Sequence, residues 1–151
     1  METTEEIYPM HSFPALNVAD VAESSRWYQE ALGFRHVFTM DGPGGKAMLA
    51  HLRWMKHADI LIGARPIEPG PRGLGITLNY SAYLVDRTVD EIAERAIAYG
   101  AKIAMPPTDM PWNARECTIE DPDGYKLNFT QPINLGRNFD EVIAEAREAE
   151  L

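Results

Sequence analysis

The chain is short of cysteine, of basic charge and of long apolar runs, and each shortage excludes something. Cys117 is the only cysteine among 151 residues, so no internal disulfide can form, and a reducing cytoplasm is the expected setting. Lys and Arg number 14 against 23 Asp and Glu, a net charge of −9, which argues against the basic face that nucleic acid or anionic lipid requires. No apolar run approaches the roughly 18 residues that span a bilayer, so no membrane partner is expected. The acidic opening METTEEIYPM has no apolar core of the kind a signal peptide carries. There is no CxxC pair and no Ser–His–Asp ordering. DGPGG at 41–45 reads as a hairpin that leads into a strand rather than a helix, so it is no phosphate cradle. What is present is an apolar content of 45%, enough for a globular core.

The chain repeats itself. In LNVADVAESSRWYQEALGFRHVF, Asp20 reads as a helix N-cap with Glu23 three residues on. Val21, Trp27, Tyr28, Ala31 and Leu32 make one apolar stripe, and Gly33 sits where a left-handed cap residue belongs. In YLVDRTVDEIAERAIAYGAKIAM, Thr88 and Glu91 repeat the cap. Val89, Ile92, Ala93, Ala96 and Ile97 repeat the stripe, and Gly100 repeats the stop. Thr88 lies 68 positions after Asp20, and Gly100 lies 67 after Gly33. Both helices are followed by three strand-like stretches, with PPTDMPWN read as a connector inside the second set. The expected fold is therefore α+β: two tandem βαβββ units forming curved mixed sheets, plus a C-terminal helix. Its boundaries are a tail at 1–10, a first unit at 11–66, a Gly/Pro-rich linker at 67–75, a second unit at 76–132 and a helical extension at 133–151. In that extension Phe139, Val142, Ile143 and Ala146 form the apolar stripe.

The tandem unit, with VAD before a capped helix, WYQEALGF inside it and WNARECTIEDPDGYKLNF before its end, resembles the vicinal oxygen chelate superfamily over roughly residues 11 to 132. That superfamily includes glyoxalase I, extradiol dioxygenases, fosfomycin-resistance enzymes and bleomycin-resistance binding proteins. The resemblance implies sheets that enclose a cavity, commonly in a homodimer. It also implies four inward positions that hold His, Glu or Gln around a divalent metal. Matched one by one, these are Phe13, Leu61, Tyr80 or Ser81, and Asn128. None is an imidazole or a carboxylate, so no metal and no other cofactor is expected. DPDG reads as the hairpin turn that fixes the facing of the last strand. Leu127 and Phe129 turn toward the helix, and Lys126, Asn128 and Thr130 turn toward the cavity.

Aromatic residues are the positive signal, because flat organic ligands are held by rings and a few placed polar groups. Phe13, Phe38, Trp54, Tyr80 and Trp112 are the candidate rings. His51, Arg115, Glu116 and Asn128 are the candidate polar groups, with Glu116 and Tyr80 as the candidate acid/base residues. Cys117 is read as a buried structural thiol. Two readings follow. One is a cytoplasmic homodimer that sequesters a small molecule, an antibiotic or a toxic metabolite, without metal. The other is an enzyme of the same superfamily that uses a relocated metal site or a metal-free acid/base.

Overall fold

A computed structural model of the chain describes residues 12–64, 76–83 and 85–148, and the 67–75 linker and His11 lie outside them. The order is β1 (Ala15–Asn17), α1 (Val21–Trp27), β2 (Arg35–Asp41), β3 (Ala47–Met55), β4 (Ala58–Gly63), β5 (Thr77–Ser81), α2 (Val89–Tyr99), β6 (Lys102–Met110), β7 (Ala114–Glu120), β8 (Lys126–Pro132) and α3 (Phe139–Glu148). The strands form two four-stranded mixed sheets, β1-β4-β3-β2 and β5-β8-β7-β6, so the expected tandem βαβββ plan is present. The chain divides into two compact units. The first runs to Ile76 and includes Asp121–Tyr125, and the second holds the remainder, α3 included.

In the first unit the Asp20 carboxylate accepts the Glu23 N–H at 3.0 Å, satisfying one of the orphan donors that open α1. A π turn over Tyr28–Leu32 extends the helix, and Gly33 stops it at φ 83°. The stripe faces the sheet: Val21, Trp27, Tyr28, Ala31 and Leu32 are all buried, against Leu16, Ala50, Leu52, Ile60 and Ile62. The turn at 121–125 completes this unit. The Asp121 carboxylate accepts the Tyr28 hydroxyl at 2.8 Å and the backbone N–H groups of Asp123 and Tyr125 at 2.9 and 2.8 Å. Asp123 in turn accepts the Ala19 N–H at 2.9 Å. The Asp and Gly that mark the turn in sequence thus have two uses: Gly124 takes the left-handed φ of 90°, and Asp121 caps backbone donors from within a buried site.

In the second unit Thr88 and Glu91 form a reciprocal capping box, and Gly100 ends α2 at φ 96°. Val89, Ile92, Ala93 and Ala96 pack on Cys117, Ile119, Leu127 and Phe129, all buried. Ile97 is 58% exposed, so the α2 stripe is narrower than its sequence suggests. Phe139 likewise stands 73% exposed while Val142 alone of the α3 stripe is buried, and Ala146's side chain is outside the description. Strand β6 runs on through Pro106 and Pro107, where a connector was expected. It is the edge strand of its sheet and shifts register between Met105 and Thr108, which is where a sheet tolerates residues that cannot donate.

The duplication extends to register. Leu52 pairs Ile60 and Ala50 pairs Ile62 in the first sheet. Ile119 pairs Leu127 and Cys117 pairs Phe129 in the second, each 67 positions on. The offset even covers the turns: His57, at φ 63°, occupies the place of Gly124. Histidine is among the few residues other than glycine that enter this region readily, which accounts for it there without a ligand role.

Candidate functional site

In each unit the sheet face turned away from the helix carries a buried polar network. In the second unit β7 offers Glu116, Thr118 and Glu120 on that face, and β8 offers Asn128 opposite Thr118 and beside Asn79 of β5. Glu116 is buried. One carboxylate oxygen accepts the Trp112 indole N–H at 2.6 Å and the other accepts the Asn128 amide at 2.6 Å. The same amide also donates to Asn79 Oδ1 at 3.0 Å, while Asn128 Oδ1 accepts the Thr118 hydroxyl at 2.9 Å. Both oxygens of Glu116 thus have partners, but both partners are neutral, and among the described residues no cation pairs with it.

In the first unit the corresponding face carries His51, Arg53 and Asp59. Arg53 grips Asp59 as a fork, Nε to Oδ1 at 2.7 Å and Nη2 to Oδ2 at 2.8 Å, and His51 Nε2 meets Oδ2 at 2.6 Å. All three side chains are enclosed, with Arg53 and Asp59 at 1% and 0% exposure. Burial pushes the Asp59 carboxyl up, but the hydrogen bonds from Arg53 and His51 outweigh it and hold the group below the ordinary carboxylate range. The imidazole lies 6.4 Å from the Phe13 ring and 5.5 Å from the Phe38 ring, both half-exposed.

Three candidate residues point the other way. Trp54 is buried on the helix side of β3, 5.2 Å from Phe34, which in turn meets Tyr28 edge-on at 5.3 Å, so it is core. Tyr80 is also on the helix side, stacked on Phe129 at 5.8 Å. Arg115 turns back to Asp90 of α2, with bonds of 2.7 and 2.8 Å, and to Asp109 at 2.9 Å, so it is committed to ion pairs away from Glu116. The error over Tyr80 comes from loop length. From strand end to helix start, Ser81 to Val89 spans four residues more than Asn17 to Val21. Register therefore makes Asn79 the counterpart of Ala15, since these pair with Asn128 and Leu61, and makes Thr77 the counterpart of Phe13.

The four positions where the superfamily resemblance places metal ligands accordingly hold Phe13, Leu61, Thr77 and Asn128. One amide and one hydroxyl, the amide already engaged on both its atoms, do not fit a divalent cation, and no metal chemistry follows from them. Among the described residues no group of three His, Cys, Asp or Glu side chains is placed to hold an ion.

Two open grooves lie elsewhere, one of about 370 Å³ beside α1, edged by Arg26, Glu30, His36 and Thr39, and one of about 400 Å³ beside the long β5–α2 segment, edged by Tyr83, Asp86 and Glu91. Their rims are mostly exposed side chains, and neither meets the two networks. Cys117 is enclosed beneath α2, its thiol 3.9 Å from the Val89 carbonyl. Burial first, and then the Asp90 charge, pushes it up to about 12, Arg115 opposing only in part. Native protein is expected to leave an aromatic disulfide reagent unreacted at pH 8, with one thiol released in denaturant. Prompt reaction of the folded chain would refute the buried placement.

The family model for the Glyoxalase/Bleomycin resistance protein/Dioxygenase superfamily matches residues 11–129, and the chain belongs to that superfamily. Among solved structures it is similar to TioX from Micromonospora sp. ML1, at 24% identity and TM-score 0.62 over 80% of this chain and 97% of that one. It is also similar to TnmS3, an antibiotic binding protein from Streptomyces sp. CB03234, at 22% identity and TM-score 0.61 over 81% and 95% of the two chains. A glyoxalase-related enzyme from Fulvimarina pelagi matches at 19% identity and TM-score 0.63 over 80% and 86%. At these identities the likeness is one of fold. No curated protein matches. Among the described residues no helix is long and apolar enough to cross a membrane.

Proposed function

We propose that this chain binds a small, flat organic cation without the superfamily's divalent metal, with Glu116 as the anionic anchor and Trp112 as the ring beside it. The observation that carries this reading is the state of Glu116. Buried carboxylates are ordinarily paired with a cation, because hydrogen bonds from neutral groups recover only part of the lost hydration. Here Trp112 and Asn128 orient the group, and the counter-charge is left for a ligand. Trp112, 37% exposed, offers an indole face of the kind that attracts organic cations. The net charge of −9 speeds encounter with a cation. The antibiotic-binding activity in the name of TnmS3 shows that this fold can serve as a binder. The single cysteine fits a reducing cytoplasm, and the family resemblance fits a homodimer.

The test compares two probes of one shape by thermal shift and calorimetry: 9-aminoacridine, a cation at pH 7, and acridine, which is neutral there. The cation is expected to bind at least ten-fold more tightly, and at a hundred times its Kd to stabilise by about 2.7 kcal/mol. Equal binding of the two, or none, overturns the reading. Saturable stabilisation by any one of Ni, Zn, Mn or Fe overturns its metal-free part.

A further inference from the structure

Trp112 sits in the short turn between Met110 of β6 and Ala114 of β7, and the residue after it has an unusual backbone. Asn113 stands at φ 62°, the left-handed region that such a turn asks of its last residue and that glycine fills at least cost. Asparagine tolerates the region, and here its side chain is in use. Nδ2 of Asn113 donates to the Asn134 carbonyl at 2.7 Å, and Oδ1 accepts the Asn134 N–H at 3.0 Å. The Asn113 carbonyl accepts the Ile133 N–H at 3.0 Å. The side-chain amide thus pairs with the backbone of Asn134 at both its ends, as a neighbouring strand would.

Ile133 and Asn134 lie beyond the stretch that matches the superfamily, residues 11–129, in the segment that leads to α3. That segment has a shape of its own: Asn134 Oδ1 accepts the Gly136 N–H at 2.9 Å, and Asn138 Oδ1 accepts the Asp140 N–H at 2.8 Å. The β6–β7 turn is therefore tied down from outside the shared part of the chain. The residue that is tied adjoins the one whose indole N–H donates to Glu116 at 2.6 Å. A turn with a free tip would leave Trp112 to be ordered by its ligand, and fixing it in advance removes that cost.

We propose that Asn113 is a positioning residue: its pairing with Asn134 holds the Trp112 ring against Glu116 before a ligand arrives, which makes the segment after Pro132 part of the binding site. The ligand side of this proposal rests on Trp112 and Glu116 holding a cation.

The test uses the full-length protein and two variants. Asn113→Gly suits the left-handed turn but loses both amide bonds. Asn113→Asp also tolerates the turn but sets a carboxylate, in place of a donor, against the Asn134 carbonyl. Nitrogen-15 spectra carry one indole N–H signal for each of the three tryptophans, and that of Trp112 is the one missing from Trp112→Phe. Without ligand, its exchange with solvent is expected to quicken about ten-fold in both variants, while the buried Trp27 and Trp54 are unchanged. Agreement of the two separates loss of the pairing from the added freedom of glycine. Affinity for 9-aminoacridine is expected to fall about three- to ten-fold, the ordering cost of one large side chain. An unchanged Trp112 exchange rate in either variant overturns the proposal. So does a faster rate with 9-aminoacridine still bound as tightly as by wild type. Failure of wild type itself to bind 9-aminoacridine overturns the cation reading, and the ligand-free exchange rates then decide whether Asn113 holds the ring, so the two failures are distinguishable.

Discussion

Replacing Asp59 by asparagine is expected to destabilise the protein by about 3–5 kcal/mol, the range for breaking a buried ion pair by removing one partner. The shape barely changes, but Arg53, at 1% exposure, would lose the carboxylate that its Nε and Nη2 grip. The new amide would also turn a donor toward Arg53 or His51, both of which donate to this group at present. Urea unfolding at pH 7 measures the loss. Changing both partners together, as Arg53→Met with Asp59→Leu, should lie closer to wild type than Asp59→Asn alone, because no orphan charge remains. The pH dependence has a definite sign. The folded carboxyl is held below its unfolded value of 3.8, so its stabilisation is complete above that value and disappears as pH falls through the folded one. The gap between wild type and Asp59→Asn should therefore narrow below about pH 4. Asp121, which burial pushes upward, acts in the opposite sense: its contribution is complete below 3.8 and is lost as pH rises through its raised folded value. It is unaltered in both proteins and cancels from the difference. A loss under about 1 kcal/mol at pH 7 would show that the network is no more than a surface pair.

Much of the fold was legible because its signals are local. Asp20 and Thr88 announce their helices, Gly33 and Gly100 end them, and alternation in KLNFT sorts Leu127 and Phe129 from Asn128 without any tertiary information. The misplacements came where the phase of a strand depends on something distant. The facing of Tyr80 depends on the length of the segment before α2, which is four residues longer than its counterpart before α1. Trp54 and Arg115 have the chemistry of site residues, but alternation places Trp54 with Leu52 and Arg115 with Cys117, on the buried sides of their sheets. Asp59 closes KHAD, a stretch whose composition is that of a turn. The signal is there in another form: Arg53 and Asp59 are cross-strand partners in the β3–β4 hairpin, and in the second unit Glu120 and Lys126 occupy the same cross-strand places with the charges reversed. In that second pair Lys126 is exposed and Glu120 half-buried, with Lys102 reaching Glu120 at 3.1 Å, so position in the repeat predicts the register but not the burial.

Glu116→Gln is expected to leave the fold within about 1 kcal/mol of wild type and to weaken 9-aminoacridine by about 10- to 100-fold, a loss of about 1.4–2.8 kcal/mol. The first half follows from the reversibility of the network. The Trp112 indole can only donate, so the single oxygen of glutamine must take its N–H, and the new amide group then faces Asn128. Asn128 can turn its amide over to offer Oδ1, the Thr118 hydroxyl can rotate to accept, and Asn79 can turn to donate, so that the three bonds of Asn128 are remade with their directions reversed. The charge is what cannot be remade. A ligand cation would then lie against a neutral wall, with nothing to offset its own lost hydration, while acridine would bind both proteins alike. Calorimetry with the two probes on the two proteins gives a four-corner cycle, and the coupling between ligand charge and Glu116 charge is its only large term. Should 9-aminoacridine bind Glu116→Gln as tightly as wild type, Glu116 is a structural carboxylate and the cation, if it binds, is held elsewhere.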